Sequence, residues 1–249
     1  MFNFDFPLSP RARTYLKLEQ VFKNAESCTD FSSEQHVMYL IRCVVDFIDI
    51  VDGSSAIKID LLKDLEKCDS ALKQFETDPE CDIEVVAKLH SDIAKAKQIL
   101  DNFTRQRTVL KDDQIIELIK PRFMTPGGLN CFDTPMFTYW LTLTAKEKQD
   151  RATNWLHEFD CIRVPVYTIL YIWRLCANLS DRVAKSGFMQ ESADTCDLIN
   201  IQYSKDVAAY PVVSGFQSRV NIRFLPFEKG TPVGDIPFKI AYIKSSLEQ

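Results

Sequence analysis

Arg219 and Arg223 are the residues of this 249-residue chain whose types and spacing point most directly to chemistry. They stand in Ser218-Arg219-Val220-Asn221-Ile222-Arg223-Phe224, where polar and apolar side chains alternate strictly from Arg219 onward. A strand turns successive side chains to opposite faces, so Val220, Ile222 and Phe224 share one face and Arg219, Asn221 and Arg223 the other. Same-face neighbours lie roughly 7 Å apart, a spacing that suits an acidic peptide whose carboxylates each take a forked guanidinium contact. Between residues 215 and 244 the chain carries five basic and two acidic side chains, a local charge of +3 in a protein whose formal net charge is -5. By spacing alone the same pair also fits a solvated outer sheet face, or surface ion pairs worth about 0–1 kcal/mol.

Arg13 and Lys17 form a second basic pair beside Arg11, four residues apart and therefore on one helix face. Alone they describe an ordinary wet face; an N-terminal strand joined to the sheet of Arg219 and Arg223 would bring them into the same surface. Catalytic candidates are poor. His36, His90 and His157 are the only histidines, and each falls within a predicted helix. Cys131 and Asp133 share a loop, but no base stands near them in sequence to activate a thiol. Gly127-Gly128 lacks the frame of a phosphate-binding loop and reads as a tight connection. Eight cysteines form no CxxC pair and none stands at zinc-ligand spacing from a histidine. The sequence thus assigns no catalytic residue, no metal ligand and no cofactor.

Composition bounds the remaining classes. A pI near 5.3 argues against a protein that coats nucleic acid. The opening residues, MFNFDFPLS, lack the basic and apolar regions of a secretory signal, which predicts a cytoplasmic protein with reduced thiols. The most apolar stretch, 164–173, is half of the roughly 20 residues that span a bilayer, so no membrane insertion is expected. With 46% hydrophobic residues the chain can bury one large core or two coupled ones.

The elements that must hold these residues follow from periodicity. Phe2, Phe4 and Phe6 alternate with Asn3 and Asp5, which predicts a short N-terminal strand. Tyr15, Leu18 and Phe22 start a helix that runs to about Ser27. After the capping candidates Ser32 and Ser33, a broad apolar stripe from Val37 to Val51 predicts a central helix closed by Gly53. Leu61, Leu65, Cys68, Leu72 and Phe75, then Val86, Leu89, Ile93, Ala96, Leu100 and Phe103, repeat at steps of three and four. A turn at 77–82 folds these two helices into an antiparallel hairpin. A short helix is expected at 112–120, another after the cap Asp133 or Thr134, an amphipathic one over 145–159, and a long apolar one over 162–183. Period-2 segments at 187–190, 198–203, 219–225 and 237–243 predict strands, with Pro211, Gly215, Pro226 and Gly230 among the turns. The expected fold class is α+β: a mainly helical bundle with an antiparallel helical hairpin, plus a smaller β-sheet domain built from the N-terminal and C-terminal strands. The domains are expected at 8–184 for the helical part and at 2–7 with 185–249 for the strands.

Several segments resemble the ZapD family of FtsZ-associated cell division proteins. They are 11–19 (RARTYLKLE), 61–65 (LLKDL), 125–140 (TPGGLNCFDTPMFTYW), 187–190, and 210–228 (YPVVSGFQSRVNIRFLPFE). The PGGxxxFDxPxxxxWL and SGxxSRxxIRFxP arrangements are the most specific, and chance rarely sets both in order. The resemblance implies a homodimer in the cytoplasm, recruited to the mid-cell division ring, that binds the C-terminal tail of FtsZ and cross-links its filaments. It carries the basic tail-binding surface to Arg13, Arg219 and Arg223 by motif, then to Lys17, which keeps the charge but loses the fork of an arginine. Thr138 stands where some relatives are expected to offer a basic residue such as His, and Arg122 is a further contributor. The alternative reading is a helical scaffold that binds another acidic partner through the 61–103 hairpin.

Overall fold

Phe2, Phe4 and Phe6 lie on strand β1 (Phe2–Pro7), which pairs antiparallel with β4 (Leu198–Tyr203), so the two ends of the chain meet in one sheet. The computed structural model describes residues 1–76, 82–103, 109–192, 196–216 and 219–245. These form two compact units, one of Met1–Leu16, Glu66–Leu89 and Ile169–Gln249, the other of Lys17–Leu65 and His90–Thr168. The class is α+β, with helices in the N-terminal two thirds and antiparallel sheets that include β1.

The first unit contains a β-sandwich. Its remaining strands are β2 (Ser180–Ala184), β3 (Phe188–Ser192), β5 (Ala209–Phe216), β6 (Arg219–Pro226) and β7 (Ile236–Ile243). One sheet has the order β1-β4-β7-β2 and the other the order β3-β6-β5. Ile199, Ile201 and Tyr203 of β4 and Phe238 and Ile240 of β7 meet Val220, Ile222 and Phe224 of β6, all buried. Each such side chain contributes about 1.5–3 kcal/mol by leaving water. Phe224 is central to this packing, edge-on to Tyr203 at 5.2 Å and to Phe238 at 5.4 Å between ring centres. The hydroxyl of Tyr203 donates to the Ala209 carbonyl at 2.9 Å, which ties β4 to the facing strand β5.

The corner between the sheets is a two-residue turn. Ser186 (φ 48°) and Gly187 (φ 73°) both take the positive φ that a tight hairpin of this hand requires. Glycine is demanded at 187 on a second count, since a Cβ there would lie 2.7 Å from Val233 Cγ1 and 3.0 Å from the Phe224 carbonyl oxygen. On its outer side, the four-stranded sheet carries a polar cluster. Buried Asn200 donates to Asn3 and Asp5, and Asp5 in turn accepts two bonds from Arg174, at 2.9 and 2.7 Å.

Ser9 begins helix α1 (Pro10–Glu26) by accepting the Ala12 N–H on its hydroxyl. The second unit is helical. In α2 (Glu34–Gly53), capped by Ser33, the expected stripe Val37, Leu40, Ile41, Val44, Phe47, Ile48 and Val51 is buried. The Phe47 ring lies 4.4 Å from that of Phe159, and Phe22 lies within 6.0 Å of both. The heptad helices are α3 (Ile57–Phe75) and α4 (Ile83–Asp101). Lys58 at the start of α3 donates to the Asp101 and Phe103 carbonyls past the end of α4, which fixes the two as antiparallel. The turn expected at 77–82 lies outside the described residues but for Asp82, whose carboxylate caps Glu84 and Val85. Ser218 also lies outside them. Short helices α5 (Gln114–Ile119) and α6 (Pro135–Leu141) follow.

Two boundaries differ from the sequence reading. Residues 145–175 form one helix, α7 (Ala145–Leu175), that passes through Pro165, and the stretch expected as helix up to Val183 ends eight residues earlier. Ile162, Val166, Ile169, Leu170, Ile172 and Trp173 are fully buried on either side of the proline, and that burial outweighs the roughly 3 kcal/mol a helical proline costs. Beyond Leu175, residues 180–184 pair with β7 in strand β2, because a ladder partner overrides a weak helical preference. Pro211 and Gly215, expected in turns, lie inside β5. A proline is tolerated there because β5 is an edge strand.

Candidate functional site

Strand β6 realises the predicted alternation residue by residue: Val220, Ile222 and Phe224 are buried, while Arg219 and Arg223 are exposed. Asn221 lies between the arginines on the outer face, so roughly 13 Å of strand divides them, two same-face steps rather than one. The register supplies their neighbours. Arg223 stands opposite Phe188 on β3 and Val212 on β5, and Asn221 opposite Gln190 and Ser214. Phe188, Tyr210 and Val212 are each between 41% and 45% exposed, so a band of apolar surface borders Arg223. The Arg223 guanidinium lies over the Phe188 ring at 5.7 Å.

No carboxylate of β3, β5 or β6 shares this face. The one acid on these strands, Glu191, stands opposite Val220 and is engaged elsewhere, accepting from Arg182 at 3.2 and 3.0 Å and from the Tyr242 hydroxyl at 3.0 Å. Among the described residues neither Arg219 nor Arg223 forms an ion pair. Among the described residues the face therefore offers two guanidinium groups without an ion pair, Arg223 beside apolar surface, which is what an acidic segment with apolar side chains needs.

Arg13 is exposed on α1, and its guanidinium reaches the Pro7 carbonyl at 3.5 Å. The start of α1 is joined to the sandwich through Leu8, whose methyl group would stand 2.9 Å from a Cβ at Gly215. Gly215 pairs with Val220, next to Arg219, so Leu8 and the turn after it border the Arg219 end of the three-stranded sheet. Arg11 strengthens this join by reaching Asp197 at 3.5 Å and Ser245 at 3.2 Å. Lys17 is exposed one turn beyond Arg13 on the same helix. Lys17 and Arg122 belong to the second unit, and Arg122 is half-buried in a 3-10 turn (Lys120–Met124) ahead of the Gly127-Gly128 loop.

Phe188, Tyr210 and Val212 escaped the sequence reading. The alternation Tyr210-Pro211-Val212 was the available signal, and the proline masked it. A groove of about 630 Å³ in the second unit is lined by Trp140 and Trp155 together with Asp113, Glu147, Asp150 and Glu158. Its charge has the wrong sign for an acidic ligand. The hairpin's apolar positions, Leu61, Leu65, Cys68 and Leu72 with Val86, Leu89, Ile93, Ala96 and Leu100, are buried, so they offer no surface to a partner. Cys131 is exposed, and the neighbouring Asp133 carboxylate is held by Asn130 at 2.6 Å. No group of three or more metal-ligating side chains occurs among the described residues, and no helix among them is long and apolar enough to cross a membrane.

The model of the cell division protein ZapD family matches residues 16–223 of the chain, a span that takes in the hairpin, the Pro-Gly-Gly loop and both site arginines. The chain belongs to the ZapD family. It is 30% identical over 244 residues to the cell division protein ZapD of Vibrio atlanticus, covering 96% of this chain and 97% of that protein. ZapD of Photobacterium profundum is 31% identical over 240 residues, covering 96% and 98%. ZapD of Vibrio parahaemolyticus is 28% identical over 240 residues, covering 96% and 97%. The likeness to ZapD proteins thus runs through both units, and it identifies a cell division protein.

Proposed function

We propose that this protein binds the C-terminal tail of FtsZ on the outer face of the three-stranded sheet and, as a homodimer in the cytoplasm, cross-links FtsZ filaments at the mid-cell division ring. The observation that carries the reading is the pair Arg219 and Arg223, exposed on one face with no ion pair among the described residues, Arg223 lying over Phe188. Arg13 extends this cationic surface, and Lys17 follows it one turn along the same helix. Two identical tail sites on a symmetric dimer hold two filaments at once, and many weak contacts along each filament add through effective concentration. The work is done by binding alone. Co-sedimentation of FtsZ filaments with the wild-type protein and with an Arg219→Glu, Arg223→Glu variant tests the site. The variant should leave the filaments unbundled; equal bundling by both proteins would reject it.

A further inference from the structure

The two sheets of the sandwich do not match in width, since four strands face three. The consequence falls on β1. Phe2, Phe4 and Phe6 pair with Tyr203, Ile201 and Ile199, which point into the sandwich, so the three phenylalanines point the same way. Phe2 and Phe4 are nevertheless 37% and 36% exposed. Tyr203 accounts for the geometry. It bonds to Ala209 of β5 and meets Phe224 on one side, while the rings of Phe2 and Phe4 lie against it at 5.3 and 5.9 Å. The three-stranded sheet ends at β5, and among the described residues the Phe2–Phe4 end of β1 is left as an exposed aromatic shelf, while Phe6 and Leu8 pack into the core.

Strand β5 is also the open edge beside that shelf, and its hydrogen-bonding phase can be read. The Phe227 N–H donates to the Ala208 carbonyl at 3.2 Å, one step beyond the pair Ala209 and Pro226. Antiparallel ladders alternate bonded and non-bonded pairs, so Tyr210, Val212 and Ser214 turn their backbone groups to β6. Ala209, Pro211, Val213 and Gly215 therefore turn theirs outward. Pro211 sits where its missing N–H costs the ladder nothing, and Val213 and Gly215 present both N–H and carbonyl. Gly215 is exposed.

We propose that the acidic segment docks by strand addition: it pairs with the outward backbone of β5 as a fourth strand, and its inward side chains cover Phe2 and Phe4. This inference rests on the tail-binding reading above and specifies how the segment is held. Charge selects the occupant. The Lys205 ammonium stands over the Phe2 ring at 6.0 Å at one end of the shelf, and Arg13 lies near Pro7 at the other. The outward side chains of the added strand fall on the face of Arg219 and Arg223, two inter-strand steps or about 10 Å from β6, which a carboxylate and an extended arginine together span. The segment that fits alternates apolar residues inward with acidic residues outward, over about six residues along β5.

The probe is the FtsZ C-terminal tail peptide, titrated by calorimetry against the full-length protein. Two further peptides carry N-methyl groups on alternate amides, in complementary sets. Strand addition consumes every second N–H, so one set should lose about tenfold or more in affinity and the other should bind nearly as the parent does. A Phe2→Ser, Phe4→Ser variant that keeps its circular dichroism spectrum should weaken the parent peptide about fivefold or more. If both methylated sets bind alike, or the Phe variant binds normally, while Arg219→Glu with Arg223→Glu abolishes binding, strand addition is overturned and the tail site stands. If the Phe variant instead changes only the molar mass in light scattering, the shelf belongs to a second copy of this chain and the inference is overturned. If the parent peptide does not bind the wild-type protein at all, the tail-binding reading fails as well.

Discussion

The Arg223 guanidinium carbon stands 5.7 Å from the centre of the Phe188 ring, its register partner on the neighbouring strand β3. The contact holds one long, flexible side chain over a rigid apolar platform and aims its forked donors outward. It also places a cation and an apolar surface within reach of one ligand residue pair.

Truncating the platform should therefore cost less than losing the guanidinium fork. Phe188→Ala is expected to weaken binding of the FtsZ tail peptide by about 0.5–1 kcal/mol, roughly two- to fivefold. Arg223→Lys keeps the charge but loses the fork and should weaken it about tenfold. Titration across ionic strength should show the wild-type salt dependence for both variants, because each keeps the cation, and a reduced one for Arg223→Glu.

Gly187→Ala should destabilise the sandwich. The residue has a φ of 73°, and the new methyl would meet Val233 and the Phe224 carbonyl. A cost of about 2 kcal/mol or more is expected from the backbone strain alone. Urea denaturation against the wild-type protein measures it.

Acid should loosen the strand β2–β3 corner. The bonds from Arg182 hold the Glu191 carboxyl below its ordinary value of 4.5, against the opposing push of partial burial and with help from the Tyr242 hydroxyl. A group depressed on folding adds stability above its unfolded value, and that stability is lost as pH falls from about 4.5 through the lower folded value. Urea midpoints measured from pH 7 down to pH 3 should therefore fall less steeply for Glu191→Gln than for the wild-type protein.

Asp113→Ala should be the more damaging change in the helical unit. Its carboxylate caps α5 through Ile115 and Ile116 at 2.9 and 3.2 Å, and accepts from Arg151 at 3.0 Å and from the Trp155 indole at 2.9 Å. Loss of a cap together with two buried or half-buried donors left unpaired predicts about 3 kcal/mol. The indole's altered environment gives a fluorescence readout in the same titration.

The sequence alone determined the elements whose periodicity is strong and local. The stripe of α2, the two heptad helices, the N-terminal strand and the alternation of β6 are each fixed by which side chains must leave water, and that pattern repeats every 3.6 or 2 residues. Arg219 and Arg223 were legible for the same reason: once Val220, Ile222 and Phe224 are buried, the arginines have no choice of face. The motifs of 125–140 and 210–228 were enough to name the family that the full-length comparisons then established. What the tertiary structure decided lies in relationships between distant strands. Pro211 and Gly215 read as turns until β5 is placed at an edge, where a missing N–H has no ladder bond to lose. The helix over Pro165 and the strand at 180–184 depend on burial and pairing supplied by other parts of the chain. The apolar companions of the arginines, Phe188 on β3 and Tyr210 and Val212 on β5, come from separate strands that only the register brings to one face. The mismatch of four strands against three has no local signature at all, because strand count in a sheet is set by pairing partners and not by the composition of any one strand.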